Sequence, residues 1–174
     1  MRFLIVAAAL IAGSPSAPAA DFAPEYAVKA AFLTKFVPFV DWPSATFEDA
    51  PTPFVICIVG ADPFSDADER SIADQHLGPH PVVLRRLSTA QAGCHVMFVT
   101  GSASQSVTEA LEDVRGTPVL TVTDTARTGA VIQFVMIDGK VNFDIDAAAA
   151  AANHLTVSSK LLALARSVGR GERR

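Results

Sequence analysis

Pro53-Phe54-Val55-Ile56-Cys57-Ile58-Val59-Gly60-Ala61-Asp62-Pro63 is the stretch on which the fold turns. Residues 54–59 are apolar throughout, with β-branched members, and Pro53 and Gly60 bound them. So short a run between two breakers reads as a buried strand. A polar, helix-compatible stretch follows over residues 64–75. Residues 81–84 and 96–99 read as further strands, residues 104–114 as a helix, and residues 119–122 as another strand. Strands alternating with helices imply right-handed crossovers and a largely parallel sheet.

Toward the C-terminus the pattern changes. Residues 130–137 and 141–145 are β-rich and are separated by Asp138-Gly139-Lys140. Asp-Gly between two such runs is a hairpin signal. Asp146 can N-cap a helix over residues 147–152. Ser158 or Ser159 can cap a last helix, with Leu161, Leu164, Ala165 and Val168 as its apolar stripe and Gly169 as its end. Toward the N-terminus, the spacing predicts a helix over residues 25–39, with Val28, Phe32, Phe36 and Phe39 on one face and Lys29 and Lys35 off it. The expected fold is α/β: a three-layer sandwich around a mostly parallel mixed sheet with a C-terminal antiparallel hairpin.

The chain has 174 residues, the length of one ordinary domain. Half of them are apolar and 18% are charged, enough for a packed core. Eighteen acidic against 14 basic residues leave a net charge of -4, which argues against a nucleic-acid partner. Arg2, the apolar run 3–11, the breakers Gly13-Ser14-Pro15 and the small residues of Ala17-Pro18-Ala19 make a signal-peptide pattern. The alternative is a buried N-terminal helix; a membrane span would need about 20 apolar residues, roughly twice this run. The domain organisation expected is a signal peptide over residues 1–20, one α/β domain over 21–168 and a basic flexible tail over 169–174. Such a leader directs the chain to the periplasm, and direct membrane insertion is not expected.

Two cysteines remain, Cys57 in the first buried strand and Cys94 before the third. An oxidising compartment favours their pairing, provided those strands are close; two separate buried thiols are the alternative. Two cysteines and unclustered histidines lack metal-ligand spacing, so neither a metal nor another cofactor is expected. His76 and His80 are four apart, but Gly78 and Pro79 between them rule out a helical pair and make them loop histidines. Gly101-Ser102-Ala103-Ser104 lacks the nucleophile-elbow glycines, and serine there is the mark of a cap. With no assembled catalytic set, the chain is not expected to be an enzyme. In an open α/β sheet, ligands lie beyond the carboxyl ends of parallel strands. That places a candidate ligand crevice at Gly60, Asp62, Arg85, Thr100, Ser102 and Asp124, with ordinary helix capping as the competing role.

The stretch Glu25-Tyr26-Ala27-Val28-Lys29-Ala30-Ala31-Phe32-Leu33, closing on Phe39-Val40-Asp41-Trp42-Pro43, resembles the opening signature of the YfiR family of periplasmic proteins. Cys57 to Phe64, Cys94 to Val99, Leu120 to Asp124, Gly129 to Phe134 and Gly139 to Ile145 follow in the family's order. The chain departs from the family pattern at Thr34-Lys35, Ala130, Asp146 and His154, the last standing where the family commonly has glycine. It also lacks the cysteines for the second disulfide of one relative, so switching through such a bridge does not carry over. The resemblance implies a periplasmic regulator that binds an inner-membrane signalling protein, a diguanylate cyclase or a sensor kinase. In its best-known form it holds the cyclase inactive and so limits cyclic di-GMP and biofilm. Homodimerisation is compatible with this role. Phe39 and Trp42, large aromatics among turn residues, are the candidate partner contacts; a core role for Trp42 is the alternative.

Overall fold

The computed structural model describes residues 24–47, 52–125 and 129–169. The signal-peptide reading of residues 1–20 and the basic residues 170–174 lie outside these described residues. The chain opens with helix α1 (Pro24–Lys35), a 3-10 turn (Val37–Phe39), the short strand β1 (Val40–Asp41) and a second 3-10 turn (Ser44–Phe47). The strand expected from the apolar run is β2 (Phe54–Gly60). Helix α2 (Asp66–Ala73), β3 (His76–Leu77), β4 (His80–Leu87), β5 (Val96–Gly101), α3 (Val107–Asp113) and β6 (Leu120–Thr123) follow. The last third contains β7 (Ile132–Ile137), β8 (Lys140–Asp146), α4 (Ala147–Ala152), β9 (Thr156–Val157), α5 (Ser159–Leu164) and β10 (Ser167–Gly169).

Eight strands form one sheet in the order β10-β8-β7-β6-β5-β2-β4-β3. Five neighbours, β4-β2-β5-β6-β7, are mutually parallel. Numbered by appearance they run 2-1-3-4-5, a doubly wound order. The β7–β8 pair is antiparallel and carries the expected hairpin; Asp138 (φ 49°) and Gly139 (φ 70°) are both left-handed, as a type I′ turn demands. β1 and β9 make a separate antiparallel pair.

Alternate strand residues face two cores. On one face Phe54, Ile56 and Ile58 of β2 and Phe98 of β5 pack with Leu33 and Phe36 from the α1 segment and Ile72 of α2. On the other, Cys57 and Val59 of β2 and Met97 and Val99 of β5 pack under Val107, Ala110 and Leu111 of α3. Helices thus cover both faces, which completes the three-layer α/β sandwich. Ser65 and Ser106 start α2 and α3 with reciprocal capping boxes to Asp68 and Glu109. Asp146 caps α4 through the Ala148 and Ala149 N–H groups, and Ser158 caps α5.

Three expectations need correction. The buried stripe of α1 is Lys29, Ala30 and Leu33, continued by Phe36, whereas Val28 is exposed. The α-helix ends at Lys35, so Phe39 no longer follows the helical repeat, and Lys29 turns inward because carboxylates receive it. The last helix does not reach Gly169. It stops at Leu164, and residues Ser167–Gly169 leave it to pair in parallel with β8. Leu164 and Val168 are therefore exposed rather than part of its apolar stripe. The third correction concerns His76 and His80, which lie in β3 and β4 rather than in a loop; His76 is exposed and His80 half-buried.

Candidate functional site

The amino ends of β2 and β4 meet the segment that leaves α1. β1 is clamped to β9, with Val40 opposite Val157 and Asp41 opposite Thr156, and the Ser158 N–H donates to the Phe39 carbonyl at 2.9 Å. Trp42 comes directly after. Its indole N–H donates to the Pro118 carbonyl at 3.0 Å, and its ring meets Phe54 edge-on at 5.6 Å. Phe47 stacks on Phe54 at 5.9 Å and on His95 at 4.9 Å, and lies 5.0 Å from His80. Trp42 and Phe47, both half-buried, line an open cavity of about 400 Å³ whose other walls include Val37, Asp41, Leu77 and His80. Phe39 is half-buried against the main core. One side of the Trp42 ring is tethered inside the domain, while another borders an accessible hollow.

Two histidines support this end of the sheet. The buried His95 accepts the Val55 N–H on Nδ1 at 2.9 Å, which places its ring proton on Nε2. Burial, and then the neighbouring His80, lowers its pKa below the ordinary histidine value. His80 sits with Nδ1 2.7 Å from the Thr52 carbonyl oxygen. Sequence reasoning left both out of any site, because a lone histidine beside a strand carries no signal of what will stack on it.

At the carboxyl ends, the reversal of strand order falls between β2 and β5. Here the chain closes on itself. A Cβ on Gly60 would lie 2.2 Å from the Gly101 carbonyl oxygen, and the Ala61 N–H donates to that same oxygen at 3.1 Å. The Thr100 hydroxyl donates to the Ala61 carbonyl at 2.6 Å. The Ser102 hydroxyl contacts Ser88 O at 3.2 Å and accepts from the Ser104 and Gln105 N–H groups, each at 3.2 Å. Asp62 accepts from the Phe64 N–H and from Arg86 Nε at 2.8 Å, and Arg86 also pairs with Glu69. Burial, and then the Asp62 carboxylate, pushes Glu69 above the usual carboxylate range against the opposing pull of Arg86. Arg85 points to the opposite face of β4 from Arg86 and is exposed. Gly60, Asp62, Thr100 and Ser102 thus gather at one corner, tied to their own neighbours.

Asp124 is committed elsewhere. It accepts from Lys29 Nζ at 2.8 Å and from the Tyr26 hydroxyl at 3.2 Å. Lys29, only 2% exposed, also pairs with Glu25 one turn earlier and lies 4.4 Å from the Tyr26 ring centre. Burial alone would lower the lysine's pKa, but the Asp124 and Glu25 carboxylates reverse this and hold it above the ordinary value. Nothing local in α1 announces the arrangement, since a lysine on an amphipathic helix reads as solvated.

Cys57 and Cys94 form a disulfide beneath α3, with a Cα–Cα distance of 5.8 Å. Among the described residues, no three His, Cys, Asp or Glu side chains gather as a metal site. No described helix is long and apolar enough to cross a membrane.

In a comparison against known families, the YfiR/HmsC-like profile matches residues 26–166. A search of curated proteins returned no match. The matched span takes in nearly all the described elements, from α1 to the end of α5, and the chain belongs to the YfiR/HmsC-like family.

Proposed function

We propose that this protein is a periplasmic regulator that binds the periplasmic part of an inner-membrane diguanylate cyclase and holds it inactive. The observation that carries the reading is the family match over residues 26–166. The leader pattern of residues 1–20 supports the export that this role requires, and the disulfide suits an oxidising compartment. To repress the cyclase, the regulator must bind one conformation of its sensor more tightly than the other. Trp42 is the proposed anchor. Its half-buried ring stands at an accessible hollow, and truncating an aromatic anchor costs about 2 kcal/mol or more of binding.

Deleting the gene should raise cellular cyclic di-GMP and surface attachment, and the wild-type gene should restore both. Complementation with Trp42→Ala should fail to restore repression while the purified variant keeps a cooperative unfolding transition. Unchanged cyclic di-GMP in the deletion strain, with the cyclase expressed, would sink the cyclase reading. A large fall in thermal midpoint for Trp42→Ala would assign the residue to the core instead.

A further inference from the structure

We propose that the aromatic cavity at the amino end of the sheet binds a small organic cation, a protonated amine or quaternary ammonium on a short apolar body. The hollow of about 400 Å³ falls within the range of about 300–1,000 Å³ typical of small-molecule sites. It lies at the opposite end of the strands from the carboxyl-end crevice, and binding there does not depend on the partner reading.

The cation preference comes from the walls. Trp42 and Phe47 supply two half-buried rings, backed by the buried ring of Phe54; Trp42 stands perpendicular to Phe54 at 89°, and Phe47 lies nearly parallel to it at 17°. Two directions of ring wall therefore meet at one corner, and aromatic faces attract cations through their quadrupole. The indole N–H is already spent on the Pro118 carbonyl, so it offers nothing to an anion. His80 directs Nδ1 at the Thr52 carbonyl, which can only accept, so that nitrogen carries the hydrogen. In the neutral ring Nε2 is then an acceptor. Asp41 adds an exposed carboxylate at the rim, without an ion pair among the described residues. Among the described residues, no lysine or arginine lines the hollow. Rings, a carboxylate and an acceptor nitrogen complement a positive group carried on methyl or methylene carbons. His76 and His80 are the basic side chains on these walls.

The test uses the purified mature protein, whose single tryptophan, Trp42, is itself a reporter. Choline and its uncharged carbon isostere 3,3-dimethylbutan-1-ol are titrated at pH 8 by tryptophan fluorescence and by calorimetry. Choline should bind saturably and about tenfold more tightly than the isostere. Asp41→Asn should weaken choline about fivefold and leave the isostere and the unfolding midpoint unchanged. Phe47→Leu, which keeps apolar volume but removes a ring, should shrink the preference for the cation. Equal affinity for the two probes would show an apolar hollow without charge selection and overturn the proposal. So would the absence of saturable binding of either probe up to about 10 mM.

Discussion

At the scale of single residues, two histidines report on different physics. His154 has φ 57°, in the left-handed region, directly after the Asn153 cap of α4. A non-glycine residue there carries a steric cost of about 1–2 kcal/mol, partly offset by the lower entropy loss on folding compared with glycine. The side chain is exposed, so little packing would be lost. His154→Gly should therefore raise stability by about 0.5–1 kcal/mol in urea unfolding. His95 is a matter of charge. Its folded-state pKa lies below the ordinary value because burial and His80 disfavour the imidazolium. The unfolded chain thus takes up the proton first. Stability is at its full value above about pH 6.5 and falls as pH drops below it. His95→Gln should be less stable at pH 8 but lack that slope between about pH 6.5 and 5, as urea midpoints across pH would show.

At the scale of elements, the central strands were legible because their signals are local. A run of apolar residues between Pro53 and Gly60 has few alternatives to a buried strand, and Asp-Gly admits the left-handed pair of its hairpin turn. The ends of helices were less legible. The sequence offered Ser104 as a start, but the cap is Ser106, where Glu109 stands at the third helical position to complete the box. α5 stops early because residues 167–169 gain more from pairing along β8 than from another helical turn. Arg166 fastens this exit. Its guanidinium grips both Asp144 oxygens, and its N–H donates to the Phe143 carbonyl at 2.9 Å. That grip holds the Asp144 carboxyl below its usual range. β10 is an exposed edge strand of three residues, so this clamp should matter to it more than to the rest of the fold. Arg166→Ala should speed amide hydrogen exchange at Val168 and Gly169 while leaving β5 and β6 protected. Unchanged exchange at those two amides would mean that the strand pairing alone holds the edge.

At the scale of the whole molecule, the disulfide joins elements remote in sequence. It closes a loop with a separation of 37 residues and ties β2 to the entry of β5 beneath α3. In the chain-entropy model such a closure contributes roughly 3–4 kcal/mol, a large share of a typical domain stability of about 5–15 kcal/mol. The double variant Cys57→Ala, Cys94→Ala should lose about that much in urea unfolding, and denatured, unreduced wild-type protein should show no labelled thiol. By itself the sequence determined the class of the fold, the order of its central elements, the hairpin and the family, because apolar runs, breakers and turn residues act over a few positions. Only the tertiary structure decided which face of α1 is buried, that Lys29 meets Asp124 across 95 residues, and that Trp42 and Phe47 line an open hollow at the amino end of the sheet. Those outcomes depend on which side chains arrive opposite one another once the sheet is assembled. The free energy of burying a charge or stacking a ring belongs to that encounter, and no local pattern encodes it.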